Sequence, residues 1–251
     1  VAGIDGEPGS MGRGVCWTET DVVPEAWYLD GRNMPIGILI EAGQADLLLI
    51  SWLGCDFLNR GERVYRLLGC EVTFHDAPMT VVGDTIRFQL HIAPDQHVSR
   101  PDARVDPPPC LTKLRAFTDA QVEAFANGDA FTCFGEGFEM TAAHTAPPKI
   151  ASGQMQLIDR VVAFDPTGGP LGRGYLRAEA DVPTDAWFYT GHFLNDPCMP
   201  GTLMAEAGAQ AVAFLMAALG FTIGRDGWRY RPVAGEPARV VCRGRVLPDR
   251  Y

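Results

Sequence analysis

Hydrophobic and polar positions follow the same order twice along the chain. Each time, an extended stretch rich in apolar, aromatic and threonine side chains precedes a turn, a Met-Pro pair and a long apolar segment. The extended stretches are residues 15–23 and 175–182, and the apolar segments are residues 36–53 and 202–219. The proline beside the start of each apolar segment fits the first turn of a helix, where its missing N–H costs nothing. Because both segments are apolar on nearly every face, we predict two helices that are buried on all sides.

Two further runs predict strands after the first helix. Residues 64–74 and 85–92 are rich in β-favouring side chains, and Ala-Pro and Gly-Asp turn signals separate them. The inferred unit is therefore one long buried helix wrapped by antiparallel strands, which is an α+β architecture.

The sequence itself repeats in the same places. Residues 12–27 and 172–187 are identical at eight of sixteen positions, at a constant offset of 160. A second block, Glu41-Ala42-Gly43, matches Glu206-Ala207-Gly208 at an offset of 165, and both apolar segments end in Leu-Gly at an offset of 166. We interpret the chain as two copies of one unit, with one residue more in the second helix than in the first.

The two copies differ in the loop before the helix. The second copy has ten residues, GHFLNDPCMP, at 191–200, whereas the first has only GRNMP at 31–35. As a result, Arg32 stands where the second copy has His192. We infer that one of two symmetric sites has been lost in the first copy.

These boundaries divide the chain into three parts, namely a first copy at 1–100, a linker at 101–149 and a second copy at 150–251. Residues 101–109 are polar and rich in proline, which is typical of an extended, semi-rigid linker. Within the linker, Thr118 can cap a short helix over residues 119–126, which Asn127-Gly128 then ends.

Both copies look incomplete. Too few strand-like runs lie between residues 92 and 116 to finish the first sheet, and the second copy stops soon after its helix. We therefore expect this chain to be a segment of a longer polypeptide.

Composition argues against several classes of protein. The formal net charge is −10, and such an acidic surface repels phosphate, so we expect neither nucleic-acid binding nor docking on anionic lipid. The apolar run at 205–219 is interrupted by Glu206, Gly208 and Gln210, so we predict no membrane span. The seven cysteines form no CxxC pair, which favours free thiols in a reducing cytoplasm over a disulfide framework or a zinc site.

The second copy carries the most informative motif of the chain. It reads GHFLNDPCMPG from Gly191 to Gly201, with Glu206 fourteen positions after His192 and Gln210 four positions further on. This motif resembles the active site of FabA-like 3-hydroxyacyl-[acyl carrier protein] dehydratases, although that family usually has Asp where this chain has Glu206. The doubled layout, with a first copy that lacks the histidine, resembles the dehydratase region of polyunsaturated fatty acid synthases, which are large multidomain proteins with double-hotdog dehydratases.

The resemblance implies a fold, a reaction and partners. The fold would be a double hotdog, in which each of two tandem units wraps an antiparallel sheet around a long buried helix. The reaction would be dehydration of 3-hydroxyacyl thioesters to trans-2-enoyl thioesters in fatty acid synthesis. The substrate would arrive on the phosphopantetheine arm of an acyl carrier protein, other synthase domains would be partners, and no cofactor or metal would be needed.

Dehydration needs a base for the C2 proton, an acid for the departing C3 hydroxyl and a donor for the thioester carbonyl. His192, in a glycine-flanked loop, fits the base at neutral pH. A carboxyl among apolar groups can arrive protonated and act as the acid. The N–H groups near Gly201 and Thr202, which begin the second helix, can stabilise the carbonyl oxygen, and Gly201 lets the backbone approach the substrate.

Two carboxyls are candidates for the acid. The resemblance implies a site between the copies of a pseudo-dimer, where His192 faces Glu41 of the first copy and Glu206 faces the position of Arg32. Glu206 then either serves catalysis or forms a buried pair with Arg32. Gln44 and Gln210 either orient an acid or satisfy backbone groups.

Two other functions are compatible with the sequence. A hotdog thioesterase would use the same fold with a carboxylate that activates water, and a non-catalytic structural module would only dock other synthase domains. Double-bond isomerisation, the preferred chain length and further dimerisation stay open. Because the net charge would repel an acidic carrier, we expect a local basic patch formed by Arg225, Arg229 and Arg231.

Overall fold

The described part of the chain falls into two compact units. The computed structural model describes residues 1–10, 13–54, 69–75, 80–91, 108–193, 196–231, 234–235, 237–241 and 244–248. The first unit contains Val1–Arg100, Phe188–Thr202 and Ala234–Leu247, and the second contains Pro101–Trp187, Leu203–Val233 and Pro248–Tyr251. Residues 188–202 of the predicted second copy therefore group with the first copy.

The structure mixes helices with antiparallel strands, as predicted. In chain order, the strands and helices are β1 (Gly3–Asp5), β2 (Val15–Asp21), α1 (Ile36–Ala42), α2 (Asp46–Trp52), β3 (Gly69–Thr73), β4 (Thr85–His91), α3 (Asp119–Ala126), α4 (Ala130–Phe134), β5 (Arg160–Asp165), β6 (Tyr175–Glu179), α5 (Gly201–Ala218) and β7 (Pro237–Val241). Short 3₁₀ helices cover Glu139–Ala143, Gly153–Met155 and Trp187–Thr190.

Both extended stretches of the repeat form strands, which confirms that part of the pattern. In the first unit, β2 lies between β1 and β4 in an antiparallel sheet, with Cys16 opposite Ile4 on one side and Leu90 on the other. In the second unit, β6 pairs with β5. The predicted strand at 85–92 is present up to His91, and of the run at 64–74 residues 69–73 form β3, while 55–68 lie outside the described residues.

A strand of the first copy pairs with a strand of the second within the first unit. β3 and β7 run antiparallel, with Glu71 opposite Arg239 at the middle of the ladder. Such a pairing is expected where two copies of a unit join their sheets around a twofold axis. The double-hotdog arrangement itself stays a prediction.

The prediction of one continuous helix at 36–53 is wrong. α1 ends at Ala42 and α2 begins at Asp46, and the N–H groups of Gly43 and Gln44 donate to carbonyls three residues back, those of Ile40 and Glu41. A Cβ at Gly43 would lie 3.0 Å from the ring of Phe88 in β4. The close approach of this ring favours glycine, the residue with one of the lowest helix propensities, and the helix breaks there.

The prediction that both long helices are buried on all sides is also wrong. In the first unit Leu49 and Leu53 pack on Cys16, but Leu48 and Trp52 are each 43% exposed. On α5, Phe214 is buried and Val212 is 56% exposed. The described parts of both apolar segments therefore have a buried face and an exposed face.

The described part of the predicted linker, 108–149, is packed into the second unit. The rings of Phe117, Phe125 and Phe134 contact Phe214 of α5, with centroids 5.1–5.4 Å apart. Phe117 also exchanges both backbone hydrogen bonds with Val161 of β5. Aromatic side chains at this spacing contribute a large part of a core, so the segment is an integral part of the unit.

The short helix inside this segment is confirmed. α3 begins after Thr118, whose N–H donates to the side-chain oxygen of Gln121 at 3.0 Å. It ends at Asn127, and Gly128 follows with a φ of 93°, a left-handed conformation that glycine adopts without strain. These signals are local, which explains why the sequence predicted both ends.

Among the described residues, α5 has the length and apolar composition that a membrane-crossing helix needs. The core helix of a water-soluble protein meets the same criterion, so this is weak evidence for a membrane span. Of the 18 residues of this helix, 44% are buried inside the protein.

Candidate active site

His192 is held by the loop that the first copy lacks. Its N–H donates to the carbonyl of Phe188, and its own carbonyl accepts from the N–H of Cys198 at 2.8 Å. The ring atom Nδ1 lies 3.0 Å from the carbonyl oxygen of Cys198. A carbonyl oxygen only accepts, so Nδ1 carries the proton and Nε2 presents a lone pair. The neutral imidazole is thus in the tautomer that a base at Nε2 requires.

Two further contacts restrict the imidazole, and one backbone hydrogen bond anchors the end of its loop. The ring of Phe193 stacks on the His192 ring, with centroids 4.2 Å apart and planes inclined by 29°. Cys198 is buried, and its Sγ lies 3.5 Å from Nδ1 of His192. The N–H of Met199 donates to the carbonyl of Val246 at 2.9 Å. Residues 194–195 lie outside the described residues.

Glu41 contacts the helix that follows this loop. Its Oε2 accepts hydrogen bonds from Oγ1 of Thr202 and from Nε2 of Gln44, the latter at 2.9 Å. Thr202 is the second residue of α5 and is only 1% exposed. An acid of the first copy therefore meets the helix of the second copy four residues after Cys198, within one compact unit.

Glu206 lies in the second unit with partners of its own. Gln210, one turn further along α5, donates to Oε1 of Glu206 at 3.3 Å. The same amide donates to the carbonyl of Met155 and accepts from the N–H of Leu157, so it also satisfies the backbone of a buried turn. Gln44 donates to the carboxyl of Glu41, whereas Gln210 contacts both a carboxyl and the backbone. Their roles in orienting an acid stay predictions.

Arg32, which replaces the histidine in the first copy, is exposed. Its Nη2 donates to the carbonyl of Val82 at 3.2 Å. This contact fixes the shortened loop to the turn before β4. The suggested pair between Arg32 and Glu206 stays a prediction.

Gly201 is the first residue of α5, so the N–H groups at 201 and 202 lie at the positive end of an 18-residue helix. Among the described residues, no group of three or more His, Cys, Asp or Glu side chains is arranged to hold a metal ion. The cysteines that the structure describes with their side chains, Cys16, Cys110, Cys133 and Cys198, are all free thiols.

Sequence reasoning missed two contacts of this site. It placed Thr202 beside the substrate carbonyl but did not connect its hydroxyl to Glu41, because these residues are 161 positions apart. It included Cys198 only as a part of the motif and overlooked its main chain, whose carbonyl and N–H contact His192. Only the motif spacing, six residues from His192 to Cys198, carried a hint of that turn.

Comparison with known proteins defines the class. Residues 150–251, which contain the histidine loop and α5, match the model of the FabA-like domain. The whole chain is similar to a polyunsaturated fatty acid synthase polypeptide of Thraustochytrium sp., at 26% identity over 307 residues. That alignment covers 98% of this chain and 20% of the relative, so the chain spans about a fifth of the relative's length. The resemblance to a FabA-like dehydratase region of a polyunsaturated fatty acid synthase is confirmed.

Proposed function

We propose that this chain dehydrates 3-hydroxyacyl thioesters to trans-2-enoyl thioesters in the synthesis of fatty acids. The observation that carries the proposal is the contact between Glu41 and Thr202, which brings a carboxyl of the first copy to the helix that directly follows the His192 loop. A histidine base and a carboxyl acid are the two groups that this elimination requires.

In the proposed step, Nε2 of His192 takes the proton from C2 of the substrate. The electron pair of the C2–H bond forms the C2–C3 double bond, and the C3–O bond breaks. Glu41 gives its proton to the departing hydroxyl, which leaves as water. The imidazolium and the carboxylate then exchange a proton through solvent before the next turnover, so protons and electrons balance.

Negative charge develops on the thioester carbonyl oxygen as the C2 proton leaves. The N–H groups at the start of α5, at Gly201 and Thr202, would donate to this oxygen, and the helix dipole adds to the effect. Donors of this kind are usually worth about 10²–10³ in kcat, roughly 3–4 kcal/mol.

Substitution of His192, Glu41 and Glu206 tests the assignment of the base and the acid. We expect His192→Ala and Glu41→Gln to lower the rate of enoyl formation by about 10³-fold or more, because each removes one proton-transfer group. Glu206→Gln should be milder, because the first copy has Arg32 where a paired histidine would stand. The measurement is enoyl thioester formation from carrier-bound 3-hydroxyacyl chains of several lengths.

The same assay separates the alternatives. Release of a free thiol without enoyl product would identify a thioesterase, and neither product from wild-type protein would indicate a non-catalytic module. Loss of turnover in Glu206→Gln with full activity in Glu41→Gln would reject the pairing across the copies. Enoyl products with a shifted double bond would reveal isomerase activity.

We further propose that an acyl carrier protein docks on the loop after α5. Arg225, Arg229 and Trp228 are exposed there, and the Arg225 guanidinium lies 4.0 Å from the centre of the Trp228 ring. Asp226 makes three hydrogen bonds to Thr145 and Ala146, which order the loop. A cationic, ordered loop on a chain with a net charge of −10 would attract an acidic carrier.

Neutralising this loop tests the docking surface. Arg225→Gln with Arg229→Gln should raise KM for carrier-bound substrate about tenfold, and the effect should fade at high salt. KM for the same acyl group on a short pantetheine thioester serves as the control and should not change. An unchanged KM for the carrier-bound substrate would reject the surface. We expect other synthase domains to be further partners and the cytoplasm to be the location.

A further inference from the structure

We infer that Thr202 is a positioning residue for Glu41. The Thr202 hydroxyl and the Gln44 amide both donate to Oε2 of Glu41, so the transferable proton of Glu41 stays on Oε1. This inference rests on the proposed function, in which Glu41 is the acid. Thr202 acts through Glu41 and not on the reacting atoms by its own hydroxyl.

Two donors converge on a single oxygen of Glu41. Oγ1 of Thr202 and Nε2 of Gln44 both donate to Oε2, and a carboxyl oxygen has about two lone-pair sites for such bonds. Oε2 therefore has no lone pair left for a proton. Among the described residues, none donates to Oε1, so a protonated Glu41 carries its hydrogen there.

The donors approach from two parts of the sequence. Gln44 is the second residue after the end of α1 and lies three residues after Glu41, which is the spacing of neighbours on one helix face. Thr202 is in the first turn of α5 and is buried. Because both hydrogen bonds end on Oε2, the carboxyl group cannot turn about its last bond without breaking both of them.

A fixed carboxyl matters for the proposed step. The acid must direct its proton at the C3 hydroxyl while Nε2 of His192 attacks C2, and an error of about 1 Å in such an arrangement can cost 10²-fold in rate. Without the Thr202 hydroxyl, Oε2 can also hold the proton and the group can rotate. Binding of the substrate does not depend on this hydroxyl, so kcat should fall and KM should not.

Thr202→Val and Thr202→Ser form the test. Valine keeps the shape and removes the hydroxyl, and we expect it to lower kcat about ten- to a hundredfold with KM changed less than about twofold. Serine keeps the hydroxyl, and we expect kcat within about threefold of the wild-type value. Thr141→Val is the matched control, because Thr141 is also buried and donates to a carbonyl, that of Phe138, in the second unit.

Each outcome decides the inference. Wild-type kcat in Thr202→Val, while Glu41→Gln is inactive, would overturn it and leave the proposed function intact. Equal losses in Thr202→Val and Thr202→Ser would assign Thr202 a packing role only and would also overturn it. Full turnover in Glu41→Gln would remove the acid itself, and the inference would fall with the proposed function.

A measurement without turnover checks the contact. The shifts in Tm of Thr202→Val and Glu41→Gln should not add in the double variant, because both substitutions break the same hydrogen bond. Additive shifts would show that the hydroxyl and the carboxyl do not interact, which contradicts the inference whatever the activity is.

Discussion

The helices that follow the two Met-Pro pairs share a Glu-Ala-Gly block, yet one is interrupted and the other is continuous. Gly43 stands at the break between α1 and α2, against the ring of Phe88. Gly208 lies within α5, and among the described residues no atom outside the backbone of the helix itself lies within 4 Å of the place where its Cβ would be. Glu and Ala are thus helical in both blocks, and only the glycine differs, because a ring from a neighbouring strand contacts the glycine of the first block alone.

The acids of the two helices differ in the same way. Glu41 accepts two hydrogen bonds on one oxygen, one of them from the helix of the other copy. Glu206 accepts from Gln210 on its own helix, and that amide is shared with a backbone turn. Both copies therefore have the carboxyl, but its hydrogen-bond partners differ between them. This difference agrees with the proposal of one active site instead of two.

The largest effect on stability should come from the aromatic core around α5. Phe214→Ala removes a ring that three other phenylalanines contact, and we expect it to lower the free energy of unfolding by about 3–5 kcal/mol. Leu49→Ala, in the small cluster that α2 forms with Cys16, should lower the free energy of unfolding by about 2 kcal/mol, because it leaves a smaller cavity than Phe214→Ala does. Urea denaturation checks both values, and a larger loss for Leu49→Ala would reverse the comparison of the two cores.

Alanine substitution of the two matched glycines should change the free energy of unfolding by a smaller amount, with opposite signs at the two positions. Gly208→Ala should raise the free energy of unfolding by about 0.5–1 kcal/mol, because alanine favours a helix and its methyl group meets nothing. Gly43→Ala should lower it by about 1 kcal/mol, because the methyl group presses on Phe88. Thermal unfolding of the two variants decides the point. Stabilisation by both would mean that Phe88 does not cause the break.

The smallest effect concerns the loop after α5 and depends on pH. The N–H groups of Thr145 and Ala146 and the hydroxyl of Thr145 lower the pKa of Asp226 from its ordinary value of 3.8 to about 2. A lowered folded-state pKa means that this carboxylate stabilises the fold above about pH 4, and that the contribution is lost as pH falls towards 2. Asp226→Asn should therefore unfold at lower urea than wild type at pH 5, with a smaller difference at pH 2.5. A constant difference would contradict the role of the charge.

Much of the local structure could be predicted from the sequence. Thr118 and Gln121 begin α3 and Gly128 follows its end, because caps depend on residues a few positions apart. Likewise, Gly54 and Gly220 follow the ends of the two long apolar segments with positive φ values of 105° and 93°, as their Leu-Gly ends suggested. The histidine motif also indicated the resemblance that the match of residues 150–251 to the FabA-like domain model supports.

What failed depended on contacts between distant segments. Within the predicted linker, the side chains of Phe117, Phe125, Phe134 and Phe138 are buried in a core shared with α5 and β5, and the prolines of the linker did not indicate these contacts. The break at Gly43 required knowledge of where Phe88 lies. The bond from Thr202 to Glu41 joins residues of different copies, and no spacing in the sequence indicates it.

The sequence by itself determined the elements with local signals, the internal repeat, the shorter loop without histidine in the first copy, and the resemblance to FabA-like dehydratases. Caps, turns and motifs act over a few residues, so their energies are present in the chain before it folds. Only the tertiary structure decided which face of each helix is buried, where the first helix breaks and which donors hold Glu41. Those properties depend on side chains that meet only when distant segments pack together.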